Sequence, residues 1–184
     1  MNVFLDFEAS SLSDRSYPIE VAWIFEDGRS ESHLIAPAPG WDDWDDAAEH
    51  IHGLSRDLLV GEGVSHEVVA QRMVEELSPH ALFASAPSWD GKWLSLLLRT
   101  AGLPRHALRL RDTDVALRES AALILRDACP PDRVEALIDE LVAWANATKD
   151  KSPAHRALAD ATEELAVWQR LRDRASSVAR ADRP

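Results

Sequence analysis

The first third of the chain reads as strands. Residues 3–7 (Val-Phe-Leu-Asp-Phe) and 18–25 (Pro-Ile-Glu-Val-Ala-Trp-Ile-Phe) are short apolar runs, and Ser32–Ala36 follows the turn signal Asp27-Gly28. Runs of this length bounded by turn residues predict three strands, the second and third joined as a hairpin. Pro37, Pro39 and Gly40 then interrupt regular structure, and residues 41–49 predict an exposed acidic loop leading into a short helix. Beyond that loop the period changes. Val68, Val69, Met73 and Leu77 fall at helical spacing over 66–77, residues 81–86 form a small-apolar strand, Trp93, Leu94, Leu97 and Leu98 mark a helix over 91–101, and residues 108–112 predict a fifth strand. Two helices follow, the second with Pro131 near its start and Val134, Leu137, Ile138, Leu141 and Val142 on one stripe. Pro153 precedes a last helix running from about His155 into an Arg-rich end. Strands first, then strands alternating with helices, predict an α/β chain with a mixed sheet covered by helices. No repeat or linker divides it, so the expectation is one domain over 1–174 with a flexible basic tail over 175–184.

Composition narrows the class. Hydrophobic residues make up 46% of the 184, which excludes a disordered chain. Thirty-two acids against 20 Lys and Arg give a net charge of −12. That counts against coating long nucleic acid by bulk charge, or lying on an anionic membrane. The single cysteine, Cys129, excludes an internal disulfide and a Cys-based zinc cage, and reads as a small buried side chain in a reducing setting. No run approaches the ~18 apolar residues of a membrane span. The start of the chain lacks a basic region, and Asp6 and Glu8 interrupt its apolar run, so a cytoplasmic location without a secretory signal is expected. The charge is uneven. Residues 91–111 hold Lys92, Arg99, Arg105, Arg109 and Arg111 with no acid, whereas Asp42, Asp43, Asp45, Asp46 and Glu49 form an acidic cluster. The basic segment is a candidate guide for a phosphate backbone or a solvated helix face.

Candidate chemistry begins with Asp6-Phe7-Glu8. Side chains two apart share one face of a strand, so both acids point one way and Val3, Leu5 and Phe7 the other. Two like charges on an apolar strand repel, and burying them unpaired is costly; a divalent cation resolves both problems, and a wet strand end avoids them. Asp90 lies where a strand meets a helix and, taken alone, reads as an N-cap. In His155-Arg156-Ala157-Leu158-Ala159-Asp160 an acid follows a histidine by five positions, early in a helix. Alone, these two read as surface residues.

Taken in order, Asp-x-Glu, then Asp, then His-x-x-x-x-Asp resembles the DEDDh family of 3′–5′ exonucleases, over about residues 3–168. Leu12 stands at the family's spacing after the acidic pair. Pro18-Ile19-Glu20-Val21-Ala22 is similar to the family's second strand, Ile51-His52-Gly53-Leu54-Ser55 to its Ile-His-Gly-Ile-Thr segment, and Trp89-Asp90-Gly91-Lys92-Trp93-Leu94 to its Phe-Asp-x-x-Phe-Leu. Asp112-Thr113 matches an Asp-Thr pair that usually follows. The chain departs from the family at Ala84-Ser85-Ala86-Pro87, where His-Asn is frequent, at Ser10 in place of Thr, and in the long helical stretch between Asp112 and His155.

The resemblance implies a ribonuclease H-like three-layer fold with a mixed five-stranded sheet, its first three strands antiparallel. It also implies a two-metal-ion exonuclease that releases nucleoside 5′-monophosphates from single-stranded DNA or RNA 3′ ends or short oligonucleotides. Asp6, Glu8, Asp90 and Asp160 would hold two Mg²⁺ or Mn²⁺ ions, hard cations suited to carboxylate oxygens, and His155 would be the general base. Asp6 would bridge both ions, Glu8 and Asp160 would hold the nucleophile-side ion, and Asp90 would support the other. The preceding Ser152-Pro153-Ala154 would let His155 move. Ala9, Ser10, Leu12, Ile51 and His52 would lie at the terminal nucleotide; for Leu12 and Ile51 core packing is an equal reading, and for His52 the alternative is that it only holds its own loop. Trp89 and Trp93 read as stacking platforms or, more readily, as helix-to-sheet packing, and Trp41 and Trp44 as stacking, partner-binding or core-covering residues. A homodimer is compatible with all of this. Two alternatives stand beside the nuclease: a nuclease-like domain that binds without turnover, and a haloacid-dehalogenase-type phosphatase with Asp6 as nucleophile. The latter lacks its usual second Asp and Gly-Asp-x-x-x-Asp motif.

Overall fold

The structure is a computed structural model and describes residues 1–149 and 154–181. Strands β1 (Asn2–Ala9), β2 (Pro18–Phe25) and β3 (Ser30–Leu34) form an antiparallel meander. Strands β4 (Ala81–Ala84) and β5 (Leu110–Asp112) extend the sheet in parallel beyond β1, giving the order β3-β2-β1-β4-β5. All five strands anticipated from the sequence are present, and the hairpin closes at Asp27-Gly28 with Gly28 at φ 91°.

The period-2 rule organises the two layers of helices. Odd residues of β1 (Val3, Leu5, Phe7) join Trp23 and Tyr17 in one core, closed by α3 (His66–Leu77) and α4 (Pro87–Thr100) through Met73, Leu77, Leu97 and Leu98. On the opposite face Phe4, Ile24 and Phe83 pack against α5 (Thr113–Leu125), α6 (Pro131–Ala147) and α7 (Ala157–Ala181) through Leu117, Leu141, Trp168 and Leu171. With both faces covered, every residue of β2 is buried. Cys129 is buried in the second core, as expected.

Four readings change. Helix α4 starts at Pro87, not 91, because proline fits the first helical turn, where its missing N–H has no partner to lose. Asp90 is therefore inside the helix, its N–H donating to Ala86 O at 3.0 Å, and is not the N-cap. Two short helices, α1 (Asp46–His52) and α2 (Arg56–Glu62), precede α3; the sequence signals the first and not the second. Helix α2 ends at Gly63, where a Cβ would stand 2.3 Å from Leu59 O and 2.6 Å from Ala36 N, so only glycine allows this approach. Finally, the expected flexible tail from 175 is helical to Ala181, with Ala175 and Ala179 buried. No helix among the described residues is long and apolar enough to cross a membrane.

Candidate active site

The carboxylates converge at the carboxyl-terminal end of β1. Asp6 and Glu8 share the face that α7 covers, as the alternation requires, and Asp160 in the first turn of α7 meets them. One oxygen from each of the three lies within 4.8 Å of the others, and this is the only such acidic or histidine-containing group among the described residues. Asp90 reaches the same end from α4. It is buried, and its Oδ2 has no hydrogen-bond partner. A fifth acid, Glu164, lies one turn beyond Asp160, buried and ion-paired with Lys149. Its signal in the sequence is the i, i+4 spacing from Asp160, which alone marks only a shared helix face.

Burial and crowding of like charge set the electrostatics. Desolvation, followed by Asp90, Glu8, Asp160 and Glu164, pushes the Asp6 carboxyl up to about 9. Desolvation, Asp160 and Glu20 push Glu8 up to about 8, against the opposing charge of Arg156. Asp90 is raised to about 7 by desolvation, partly offset by backbone hydrogen bonds involving Ala86, Phe7 and Asp90 itself. Carboxyls raised in this way by burial and by each other are groups that a bound cation would return to the ionised form. The donor set is entirely carboxylate oxygen, so the residues fit a hard divalent cation.

Glu20 organises the approach to α7. It is the cross-strand neighbour of Glu8 and is 2% exposed. Its two oxygens accept from Arg156 Nη2 at 2.8 Å and Nε at 3.1 Å, and Oε2 also accepts the Ala157 N–H at 3.0 Å. Immediately before this clamp stands His155, at φ 51°, a left-handed conformation uncommon for a non-glycine residue. Asp160 accepts the Ala154 N–H at 3.0 Å, closing the turn around His155. Ser152 and Pro153, expected to give His155 its mobility, lie outside the described residues.

His155 opens onto a cleft of about 330 Å³ whose walls include Glu8, Ala9, Leu12, Ile51, His52 and Trp93. Leu12 and Ile51 are 73% and 58% exposed, so the core-packing reading does not hold for either. His52 is buried. Its Nδ1 accepts the Leu54 N–H at 3.0 Å, which assigns the proton to Nε2, and Nε2 has no partner. Ser10 does not line the cleft. Its buried hydroxyl accepts the Tyr17 N–H at 3.1 Å and its carbonyl accepts the Asp45 N–H at 3.1 Å, so its role is to shape the loop after β1. Asp43 does the same work from the acidic loop, accepting from Ser11 and, at 2.9 Å, from Ser13. Those hydrogen bonds hold its carboxyl below the usual range, and the acidic segment is in part a scaffold instead of a free loop. Trp93 is core, with Nε1 donating to Ser16 Oγ at 3.0 Å, and Trp41 stacks on Tyr17 at 5.2 Å to close the core edge.

The three layers, the antiparallel β1–β2–β3 meander and the parallel β4 and β5 define a ribonuclease H-like α/β fold. The likeness extends to particular solved structures. Exonuclease I from Methylocaldum szegediense superposes with a TM-score of 0.66 at 20% identity, over 94% of this chain and 40% of that one. Escherichia coli exonuclease I in complex with a dT13 oligonucleotide gives 0.65 at 16% identity over 96% and 42%, and the zinc-bound form of its single-stranded DNA complex 0.64 at 19% identity over 94% and 40%. The chain thus spans about two fifths of the length of these structures. No protein-family model and no curated protein sequence matches it.

Proposed function

We propose that the chain is a metal-dependent 3′–5′ exonuclease acting on single-stranded DNA or RNA ends or short oligonucleotides. The observation that carries this reading is the convergence of Asp6, Glu8 and Asp160 within 4.8 Å, beside Asp90 and at the mouth of a cleft that His155 lines. Asp6, Glu8, Asp90 and Asp160 are the residues to hold two Mg²⁺ or Mn²⁺ ions. When bound, such ions stabilise charge on the phosphoryl oxygens and acidify water.

The chain's own residues do the rest. Leu12 and Ile51 offer an apolar rim to the terminal base, and Ala9 leaves room for the sugar at the bulge after Glu8. The protonated Nε2 of His52 offers a hydrogen bond to the terminal nucleotide, which supplies the partner it lacks. The His155 imidazole takes a proton from the water that attacks the last phosphorus. The P–O3′ bond breaks, the leaving 3′ oxygen takes a proton from solvent water, and a nucleoside 5′-monophosphate departs; a base placed as His155 is contributes about 10²–10⁴-fold. The solved exonuclease I complexes with single-stranded oligonucleotides support this substrate class.

The test uses 3′- and 5′-labelled single-stranded DNA and RNA with Mn²⁺ or Mg²⁺, and a phosphomonoester as control. Mononucleotide release from the 3′ end, abolished by chelator and by Asp6→Ala, is expected. Intact oligonucleotides under every metal, or hydrolysis of the phosphomonoester alone, refute the reading.

A further inference from the structure

A second and larger cleft, of about 620 Å³, runs along the other flank of α4. Its walls include Pro87, Gly91, Lys92, Arg105, His106 and Arg109. Gly91 and Lys92 follow Asp90 on α4, so the cleft runs along the helix that also carries one acid of the site. The floor at Gly91 is open, with no atom within 4 Å of where a Cβ would stand.

Its charge is anomalous for this protein. The chain carries 12 more acids than Lys and Arg together, and many of its arginines are consumed by carboxylates: Arg29, Arg72, Arg111, Arg118, Arg156 and Arg170 all make ion pairs. Arg105 and Arg109 are exposed, and among the described residues neither has a carboxylate within ion-pair distance. Arg105 Nε donates instead to His106 Nε2 at 2.8 Å. Lys92 Nζ donates to Ser13 O at 2.6 Å and Ser16 Oγ at 3.1 Å and lies 4.9 Å over the Trp89 ring, so it stands anchored at the groove edge without a carboxylate partner among the described residues. Two exposed arginines without a carboxylate partner, with an anchored lysine at the edge of the same groove, leave its positive charge open to an anionic ligand. A basic groove on the helix that also carries Asp90 suits the evenly spaced phosphates of a single strand.

Resting on the nuclease reading, we infer that this groove is the track for the substrate strand on the 5′ side of the scissile bond, with Lys92, Arg105 and Arg109 holding its phosphates. Substrates long enough to reach Arg105 and Arg109 are then bound more tightly than dinucleotides, and their binding carries the salt dependence.

The deciding measurement is the affinity of a fluorescent ten-nucleotide single strand by anisotropy, in Asp6→Ala protein so that nothing is cleaved. Arg105→Glu with Arg109→Glu is expected to weaken binding at least tenfold and to lower the log–log salt slope by about 1–2, roughly one unit for each phosphate no longer neutralised. The milder Arg105→Ala with Arg109→Ala is expected to lie between, and circular dichroism confirms that both variants fold. In the active background, the charge reversal raises KM for the ten-mer while hydrolysis of a nucleoside 5′-monophosphate p-nitrophenyl ester, too short to enter the groove, is unchanged. Unaltered ten-mer affinity, or no ten-mer binding by the parent protein, overturns the inference. Absence of all hydrolysis by the wild-type chain sinks the nuclease reading instead, and leaves the groove to be decided by the binding data.

Discussion

Protons and a divalent cation compete for the same carboxylates, and the competition is measurable as stability. In the metal-free chain the Asp6 carboxyl sits at about 9, against 3.8 for an unperturbed aspartate. A group raised on folding contributes stability that is present below its unfolded pKa and is lost as pH rises through its folded pKa. For Asp6 that window runs from about pH 4 to pH 9. Within it the native state keeps one proton that the unfolded chain gives up, a slope of about 1.4 kcal/mol per pH unit. Between pH 6.5 and 8.5 Asp6 alone accounts for about 3 kcal/mol, or roughly 5–10 °C in Tm for a chain of this size. Glu8, raised to about 8, adds in the same sense. His52, depressed by burial, acts oppositely, as do Asp27, Glu31 and Asp43 with their lowered carboxyls, but those contributions fall mainly below pH 7. A cation takes the deprotonated carboxylates, so its stabilising effect grows with pH. Scanning calorimetry in EDTA should show Tm falling over pH 6.5–8.5, and Mn²⁺ should restore it more at 8.5 than at 6.5. Asp6→Asn should flatten the EDTA profile. A flat or rising Tm in wild-type protein, or an Asp6→Asn profile as steep as wild type, refutes the assignment of the slope to this site.

Arg156→Ala leaves Glu20 buried and unpaired across from Glu8. Removing one partner of a buried pair costs about 3–5 kcal/mol; because Arg156 is itself half exposed, about 2–4 is expected by urea denaturation, with kcat falling more than KM as the turn bearing His155 loosens, and Arg156→Lys intermediate. A loss below about 0.5 kcal/mol counts against the clamp. Leu12→Ser with Ile51→Ser, two exposed positions, should change stability by less than about 1 kcal/mol yet raise KM severalfold; an unchanged KM removes them from the substrate rim.

What the sequence carries is local. Alternation over residues 3–9 puts Asp6 and Glu8 on one face of β1 without knowledge of the fold, whereas Asp160, a surface helix residue by its local pattern, joins them only through the fold. Resemblance adds the order of the motifs, and with it the cleft residues Leu12, Ile51 and His52. The parts that escape are long-range. Glu20 and Arg156 are 136 residues apart, and nothing in either segment says that an acid in an otherwise apolar strand is matched by the arginine after the histidine. The ties of the acidic loop to the loop after β1, Asp43 accepting from Ser11 and Ser13 and the Asp45 N–H donating to Ser10 O, also span 30 residues or more and leave no local signal. Helix α2 is hidden because its only strong signals, the Ser55 cap and Gly63, bracket just seven residues.

The acidic excess is best understood through these pairings. Glu20 and Glu164 are neutralised by Arg156 and Lys149, which leaves Asp6, Glu8, Asp90 and Asp160 as the carboxylates of the site, without an ion pair to any cation among the described residues. Arg105 and Arg109, exposed and without a carboxylate partner among the described residues, stand in the groove along α4. Charge is thus uneven along α4: carboxylates gather at Asp90, Arg105 and Arg109 stand in the groove, and on the proposed reading the first meet divalent ions and the second phosphates. An overall charge of −12 is unfavourable for tracking along duplex but does not oppose a single strand whose end is drawn to the ions and whose 5′ side lies in the groove. On that reading an acid placed at Arg105 or Arg109 would extend the negative charge into the groove, and the strand would lose the hold that keeps its last phosphate in front of His155.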